Sequence, residues 1–294
     1  MKTTVLHIEI FANQHLGCGE GPVWDYRNNH LYWTDSGSEK IFFATKNNAA
    51  VLVSNNFHAA SLALHEKGGL VIGNRDGFFH LQHGQLRPLA TGNELKDIND
   101  IIADPLGRIF GGQESFRDNG EYTTGHLFRI DSNGITIVDD GIHLGNGMGF
   151  DPKLDRFYFV DTIARRIYKY DYSISTGQVS NKKIFVQFQQ DEGLPDGLTV
   201  DAEGFIWVAR WFGAGISRYD PDGKLERTIV LPFTQPTSLT FGGANLDEIF
   251  VTSAAINWQT PLAPRDHDYL KPRGGSVYRI QQDIQGRQEF LVNI

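Results

Sequence analysis

The chain has 294 residues and a formal net charge of −8 at pH 7, a balance that disfavours a nucleic-acid partner, because phosphate binding needs a clustered positive field. Its one cysteine, Cys18, excludes an intramolecular disulfide. No apolar run reaches membrane-spanning length, and His7 and Glu9 interrupt the opening MKTTVLHIEIF where a secretory signal needs an unbroken apolar core; a cytoplasmic protein with no membrane partner is expected.

The first predicted element, Val5 to Phe11, alternates outward and inward as a strand does. Six segments follow that can be laid on one another: Glu20-GPVWD, Ala60-SLALH, Asn99-DIIAD, Asn146-GMGFD, Asp196-GLTVD and Thr237-SLTFG, starting 40, 39, 47, 50 and 41 residues apart. A turn rich in Asp, Gly or Asn leads from each into a second run of aromatic and β-branched residues: LYWTD, LVIGN, RIFGG, RFYFVD, FIWVAR and EIFVTS. A third run usually follows, as in KIFFAT, HLFRID and GISRYD. Short apolar strands bounded by turn residues every ten or so positions indicate antiparallel sheet. Repeats near forty residues, each supplying about four strands, indicate a β-propeller. The sequence therefore predicts an all-β, six-bladed β-propeller, a single domain over residues 1–294, with the N-terminal run completing the last blade. The irregular stretch from Ile256 to Gly275, with Pro261, Pro264 and Pro272, reads as a loop inserted in blade six.

The residue that leads each segment opens the innermost strand, so leading residues from different blades converge on the axis. Four of the six are Glu20, Asn99, Asn146 and Asp196. Packing alone has no use for carboxylates or amides there. Glu20, Asn146 and Asp196 form a set of hard oxygen donors suited to calcium, magnesium or manganese and tolerable for zinc, which places a metal site in the central channel. Three protein ligands leave open positions, from which a metal can polarise a carbonyl or activate water. The alternative is that the three line the channel and hold waters.

Second strands end on the same face of the disc, making Asp35, Asn74, Arg75, Glu114, Asp161 and Arg210 candidates for the pocket rim. Arg75 and Arg210 are read as candidate contacts to the substrate, against an alternative of ion pairing between blades. Asp35 and Asp161 sit where Asp commonly accepts backbone hydrogen bonds in a turn. His143 is close enough in sequence to Asn146 to act as a base, although a loop histidine more often packs or faces solvent. No His or Asp pattern marks Cys18 as a nucleophile, and no nucleotide loop, GxSxG or HExxH is present.

GEGPVWD followed by LYWTD at residues 19 to 35, ND with DPLGR at 99 to 108, NGMGFD with FYFVDT at 146 to 162, and above all PDGLTVDAEGFIWVA at 195 to 209 are similar to one known group. The chain resembles, over nearly its whole length, the senescence marker protein, gluconolactonase and luciferin-regenerating enzyme family of regucalcin-like six-bladed propellers. The resemblance implies that Glu20, Asn146 and Asp196 hold one divalent metal ion, calcium foremost, with zinc, manganese and magnesium as alternatives. It implies that Asn99 lies close to metal and substrate, and that Asp196 also activates water for hydrolysis of a small-molecule sugar lactone. Two departures bear on substrate. Gluconolactone-active members tend to carry arginine two places before the axial asparagine, where this chain has Asp97, and the family's small-residue and Thr-Met run is replaced by GGQES at 111 to 115. Glu114 is thus a candidate to bond substrate hydroxyls or to supply another metal-shell oxygen, and residues 115–124 are a candidate lid.

The expected activity is metal-dependent hydrolysis of an aldonolactone to the hydroxy acid, with Asn99 steadying the developing negative charge. The alternatives are a propeller that binds a divalent metal without turnover, since the fold hosts both roles, and a hydrolase of a non-sugar lactone or ester. A protein-binding receptor propeller is disfavoured, because LYWTD occurs once and not in most blades.

Overall fold

The computed structural model describes residues 7–45, 50–54, 57–115, 121–256, 263–264 and 267–294. Every blade opens with an inner strand on the central channel: Gly19–Asp25, Ser61–His65, Ile98–Ala103, Gly145–Phe150, Leu194–Val200 and Pro236–Gly242. Each packs against the next around the ring, and the sixth packs against the first, giving a six-bladed propeller. The second strands, His30–Asp35, Leu70–Asn74, Ile109–Gln113, Arg156–Asp161, Ile206–Trp211 and Glu248–Ser253, pair antiparallel with them. Neighbouring blades cover both faces of these strands, so LVIGN is buried at every position and RFYFVD at all but its first. That burial is why they read as apolar runs and not as alternating ones.

Blade six is completed from the other end of the chain, by Ile8–Ala12 lying antiparallel to Val277–Gln281 with Glu9 opposite Arg279. Residues 5 and 6 of the sequence-predicted strand lie outside the described residues. Aromatic side chains join neighbouring blades: Trp24 stacks on Phe250 at 5.5 Å between blades one and six, Phe110 meets Phe157 at 5.1 Å between three and four, and Trp207 stands edge-on to Phe241 at 5.9 Å between five and six. Each pair contributes about 0.5–1.5 kcal/mol beyond the apolar area it buries.

The Asp that ends four of the six segments is a turn device. Asp25 accepts the backbone N–H of Arg27, Asp104 those of Leu106 and Arg108, Asp151 those of Asp155 and Arg156, and Asp201 those of Glu203 and Phe205, all within 3.0 Å. The carboxylate imitates a backbone acceptor and closes the turn into the second strand. Three of the four carboxylates also meet an arginine: Arg27, Arg108 and Arg218.

One element has no counterpart in the repeat. After blade six the chain turns beneath the disc, where the Arg287 guanidinium donates to the Phe150 carbonyl at 2.9 Å, and Leu291–Val292 pairs in parallel inside the inner strand of blade two. This tail brings Glu289 to a channel cavity of about 80 Å³ that Asp100 also lines. Burial lifts the Glu289 carboxyl from 4.5 to about 7, despite the nearby Arg287. A carboxyl raised on folding makes the folded state the better proton binder, so its stabilising share is whole below about 4.5 and is lost as pH climbs through about 7. Glu289→Gln is therefore expected to match the parent in thermal unfolding at pH 4.5 and to exceed it at pH 8, by up to about 3 kcal/mol. Parallel pH profiles for the two proteins would show that the Glu289 carboxylate is solvated in the fold.

Candidate active site

In five of the six blades, the ladder between inner and second strand is broken at or beside the leading residue. The register shifts lie between Glu20 and Val23, Ile98 and Asp100, Gly145 and Met148, Pro195 and Leu198, and Pro236 and Leu239. In blade two, whose leading residue is Ala60, pairing runs without a shift from Ser61 to Leu64. Such a break bends a strand and re-aims a side chain, and here it accompanies the side chains that meet at the channel mouth. In blades four and five glycine follows the leading residue. A Cβ on Gly147 would stand 2.2 Å from the Leu198 nitrogen, and one on Gly197 2.0 Å from the Ser238 hydroxyl, so only glycine lets adjacent inner strands approach this closely.

Glu20, Asn99, Asn146 and Asp196 line one pocket of about 460 Å³, together with Ala60 and Thr237 from the two remaining blades. Asn99 donates from Nδ2 to the Gly145 carbonyl at 3.1 Å, and Asn146 from Nδ2 to the Thr162 hydroxyl at 3.2 Å. Thr237 instead ties blades together, donating to the Gly19 carbonyl at 2.5 Å. Burial drives the Glu20 carboxyl well above its ordinary range, reinforced by Asp196 and Asp100, and burial and Asp100 do the same to Asp196. Asp196 Oδ1 is buried without a hydrogen-bond partner, and such an orphaned acceptor costs about 1–3 kcal/mol. Among the described residues no group of three or more His, Cys, Asp or Glu side chains is spaced to hold a metal. Two carboxylates and an amide with an orphaned carboxylate oxygen nevertheless fit a hard divalent cation, which would satisfy that oxygen and offset the mutual repulsion.

A polar wall rises on the side of blades two and three. Arg75, Asp97, Glu114, Tyr122 and His58 all line the pocket, and the backbone ties their segments together: Asp97 N–H donates to the Arg75 carbonyl at 3.0 Å, and Glu114 N–H to the Asp97 carbonyl at 2.8 Å. Asp97 holds φ at +54°, a left-handed conformation that Asp tolerates better than most residues. Burial raises the Glu114 carboxyl, with Asp97 adding to the effect, while the hydroxyl of Tyr122 bonds to it. Burial and the nearby Arg75 lower the His58 imidazole, whose Nδ1 has no partner. Sequence reasoning missed His58 and Tyr122, since neither lies on a strand of the repeat. Of the candidate lid, residues 116–120 lie outside the described residues, while Tyr122 reaches Glu114.

The rim candidates divide by register. Asp35, Gln113, Asp161, Arg210 and Ser253 each pair with the residue just before a leading residue, and these side chains hold loops. Asp35 accepts the Gly17 and Cys18 N–H groups, and Asp161 those of His143 and Leu144. Arg210 was expected to contact substrate; the structure instead turns its Nη2 to the Gly213 carbonyl at 2.7 Å, and the pocket is lined by Trp211. Asn74 likewise caps its own turn through the Asp76 N–H. His143 is engaged by Asp161 and does not line the pocket. Cys18 does line it, but burial and the Glu20 charge push its thiol up, which disfavours the nucleophilic thiolate.

Residues 18–255 match the profile of the SMP-30/Gluconolactonase/LRE-like region. The chain is 34% identical to the pentonolactonase XacC of Haloferax volcanii over 288 residues, covering 94% of each. It is 31% identical to regucalcin of Xenopus laevis over 288 residues, again 94% of each. In structure it superposes on a regucalcin from Agrobacterium tumefaciens, described as a calcium-binding protein, with a TM-score of 0.88 at 24% identity, covering 98% of each chain. Among the described residues no helix is long and apolar enough to cross a membrane.

Proposed function

The chain belongs to the SMP-30/gluconolactonase/LRE-like family, and from that premise we propose that it is a metal-dependent lactonase opening a sugar lactone to its hydroxy acid. The observation that carries this reading is the convergence of Glu20, Asn99, Asn146 and Asp196 on one pocket, with Asp196 Oδ1 buried and unpartnered. Glu20, Asn146 and Asp196 hold the cation, with calcium the first candidate and zinc, manganese and magnesium the others. A divalent cation held there would stabilise the negative charge that develops on the carbonyl oxygen. Asp196 takes a proton from the attacking water, whose oxygen bonds to the carbonyl carbon. The ring C–O bond then breaks, and the ring oxygen leaves as a hydroxyl carrying that proton. Asn99, with one N–H committed to Gly145, offers its other donor to the charged oxygen. Asp97, Glu114 and Arg75 bond the sugar hydroxyls, in place of the arginine that gluconolactone-active relatives tend to carry at the position of Asp97.

Metal-stripped protein in weak buffer with a pH indicator is expected to leave aldonolactones at their spontaneous rate, and calcium, zinc, manganese or magnesium to restore hydrolysis. Tight metal binding without turnover of any lactone or ester would replace this reading with that of a non-catalytic metal-binding propeller.

A further inference from the structure

In blades one to five the residue that follows the loop-holding position of the second strand lines the pocket. Ser36, Arg75, Glu114 and Thr162 occupy that place in blades one to four, and all line the cavity. Blade five puts Trp211 there, one residue past Arg210, and Trp211 lines the same cavity. Trp24, Trp33 and Trp207 are buried in the core, whereas Trp211 is only half-buried. An unpartnered indole N–H does not distinguish it, because Trp24 and Trp33 share that feature. Its position and its bracing do.

The turn after Trp211 holds two residues in the left-handed region, Phe212 at φ +60° and Ala214 at +49°. A bulky aromatic residue there is a genuine outlier, and strain of this kind persists where the surroundings over-determine it. Here Gly213 N–H donates to the Arg210 carbonyl at 2.7 Å, Leu231 N–H donates to the Ala214 carbonyl at 2.9 Å, and the Arg210 guanidinium closes the turn on Gly213. The twist stacks Phe212 on Trp211, with centroids 4.5 Å apart and planes at 27°. Behind Phe212 stands His267 of the blade-six insertion, edge-on at 4.8 Å, and Tyr269 backs His267 at 4.6 Å. A chain of four rings thus fixes the indole on the wall of the pocket.

We propose that Trp211 is the platform on which the substrate ring stacks and the residue that selects a cyclic polyol, an inference that deepens the lactonase reading and rests on it. One face of such a ring presents C–H bonds, and the negative face of an indole attracts their slightly positive hydrogens while excluding water. The hydroxyls at the edge then reach Asp97, Glu114 and Arg75. Pockets of this kind combine an apolar wall with a few placed polar groups, and blade five supplies the wall that blades two and three lack. Arg210 is a positioning residue in this arrangement, acting through the turn that carries the indole.

The test is equilibrium binding of 1,5-anhydroglucitol and 1,4-anhydroalditols, rings of the right shape with no carbonyl to hydrolyse, to calcium-loaded protein by calorimetry and indole fluorescence. Trp211→Ala is expected to weaken binding at least tenfold and to raise KM for lactones while kcat moves less than threefold; Trp211→Phe should stay within threefold of the parent in binding. Cooperative unfolding and an unchanged calcium affinity in both variants establish that the fold and the cation site are intact. A parent that binds no anhydroalditol, or a Trp211→Ala variant that binds it as the parent does, overturns the proposal. Binding lost with Trp211 in a protein that opens no lactone removes the hydrolase reading alone. Lactone turnover with KM and binding indifferent to Trp211→Ala removes this inference alone.

Discussion

Asp196→Asn is expected to lower kcat/KM for lactone hydrolysis by about a thousandfold or more, since it removes the proposed proton acceptor together with one charge of the proposed cation site. It should also reverse the order of stability of parent and variant, the variant being the more stable without metal and the parent with it. In the fold the Asp196 carboxyl lies well above its ordinary value, through burial and the Asp100 charge. Its favourable share is therefore whole below the unfolded value of 3.8 and is lost as pH rises through the folded one. Above that folded value the metal-free parent holds a buried anion with an unpartnered oxygen; the amide carries no charge, so metal-free Asp196→Asn should melt higher at alkaline pH. Added calcium should raise the parent's melting temperature by mass action and the variant's much less, because only the parent keeps the full donor set. Differential scanning fluorimetry with and without calcium reads both changes. A variant that keeps its turnover would sink the assignment of Asp196. A metal-free variant that melts lower than its parent would show that Asp196 is satisfied inside the fold.

The blades and the convergence of Glu20, Asn99, Asn146 and Asp196 on one pocket were legible because each is written more than once. A register of apolar positions recurring near every forty residues predicts the strands, and an acid or amide that breaks it in the same place predicts convergence. The sequence pattern also contained, unread, the glycine after Glu20, Asn146 and Asp196, which marks where inner strands touch most closely. What escaped is what occurs once. Glu289 lies on a tail that belongs to no blade, and His58 and Tyr122 lie on connections whose course depends on tertiary contacts. Arg210 stands outside the pocket lining for a different reason. Arg210 was matched with Arg75 as a strand end, but Arg75 lies one residue past its strand, Leu70–Asn74, and Arg210 one residue before the end of Ile206–Trp211. Pairing counted from Asp196 puts Arg210 beside Pro195 and Trp211 beside Leu194, which assigns loop-holding to the first and the pocket to the second. In a strand whose side chains alternate faces, an error of one residue exchanges a structural arginine for the pocket's aromatic wall.

Arg218→Met is expected to destabilise the propeller by about 3–5 kcal/mol, the cost of stripping one partner from a buried ion pair, and to lower the melting temperature by about 6–15 °C. The side chains of Asp201 and Arg218 are 0% and 3% exposed. Asp201 collects the N–H groups of Glu203 and Phe205, the Trp207 indole N–H at 2.9 Å and two bonds from the guanidinium at 2.7 and 2.9 Å. The guanidinium in turn lies 3.7 Å from the centroid of the Phe205 ring. Methionine fills the volume but leaves the Asp201 charge in a core without its counterion. The exposed pair Arg156–Asp171 makes the comparison, since its side chains are 40% and 50% accessible and Arg156→Met should cost under about 1 kcal/mol. Urea unfolding of the two variants reads the difference, and equal losses would mean that Asp201 has lost little by the removal of its arginine. The same inner strand carries Asp196 near one end and runs into the Asp201 turn at the other. Below its lowered melting temperature, Arg218→Met should therefore keep the parent's kcat, because the turn fixes where the strand ends while the break between Pro195 and Leu198 aims the Asp196 carboxylate.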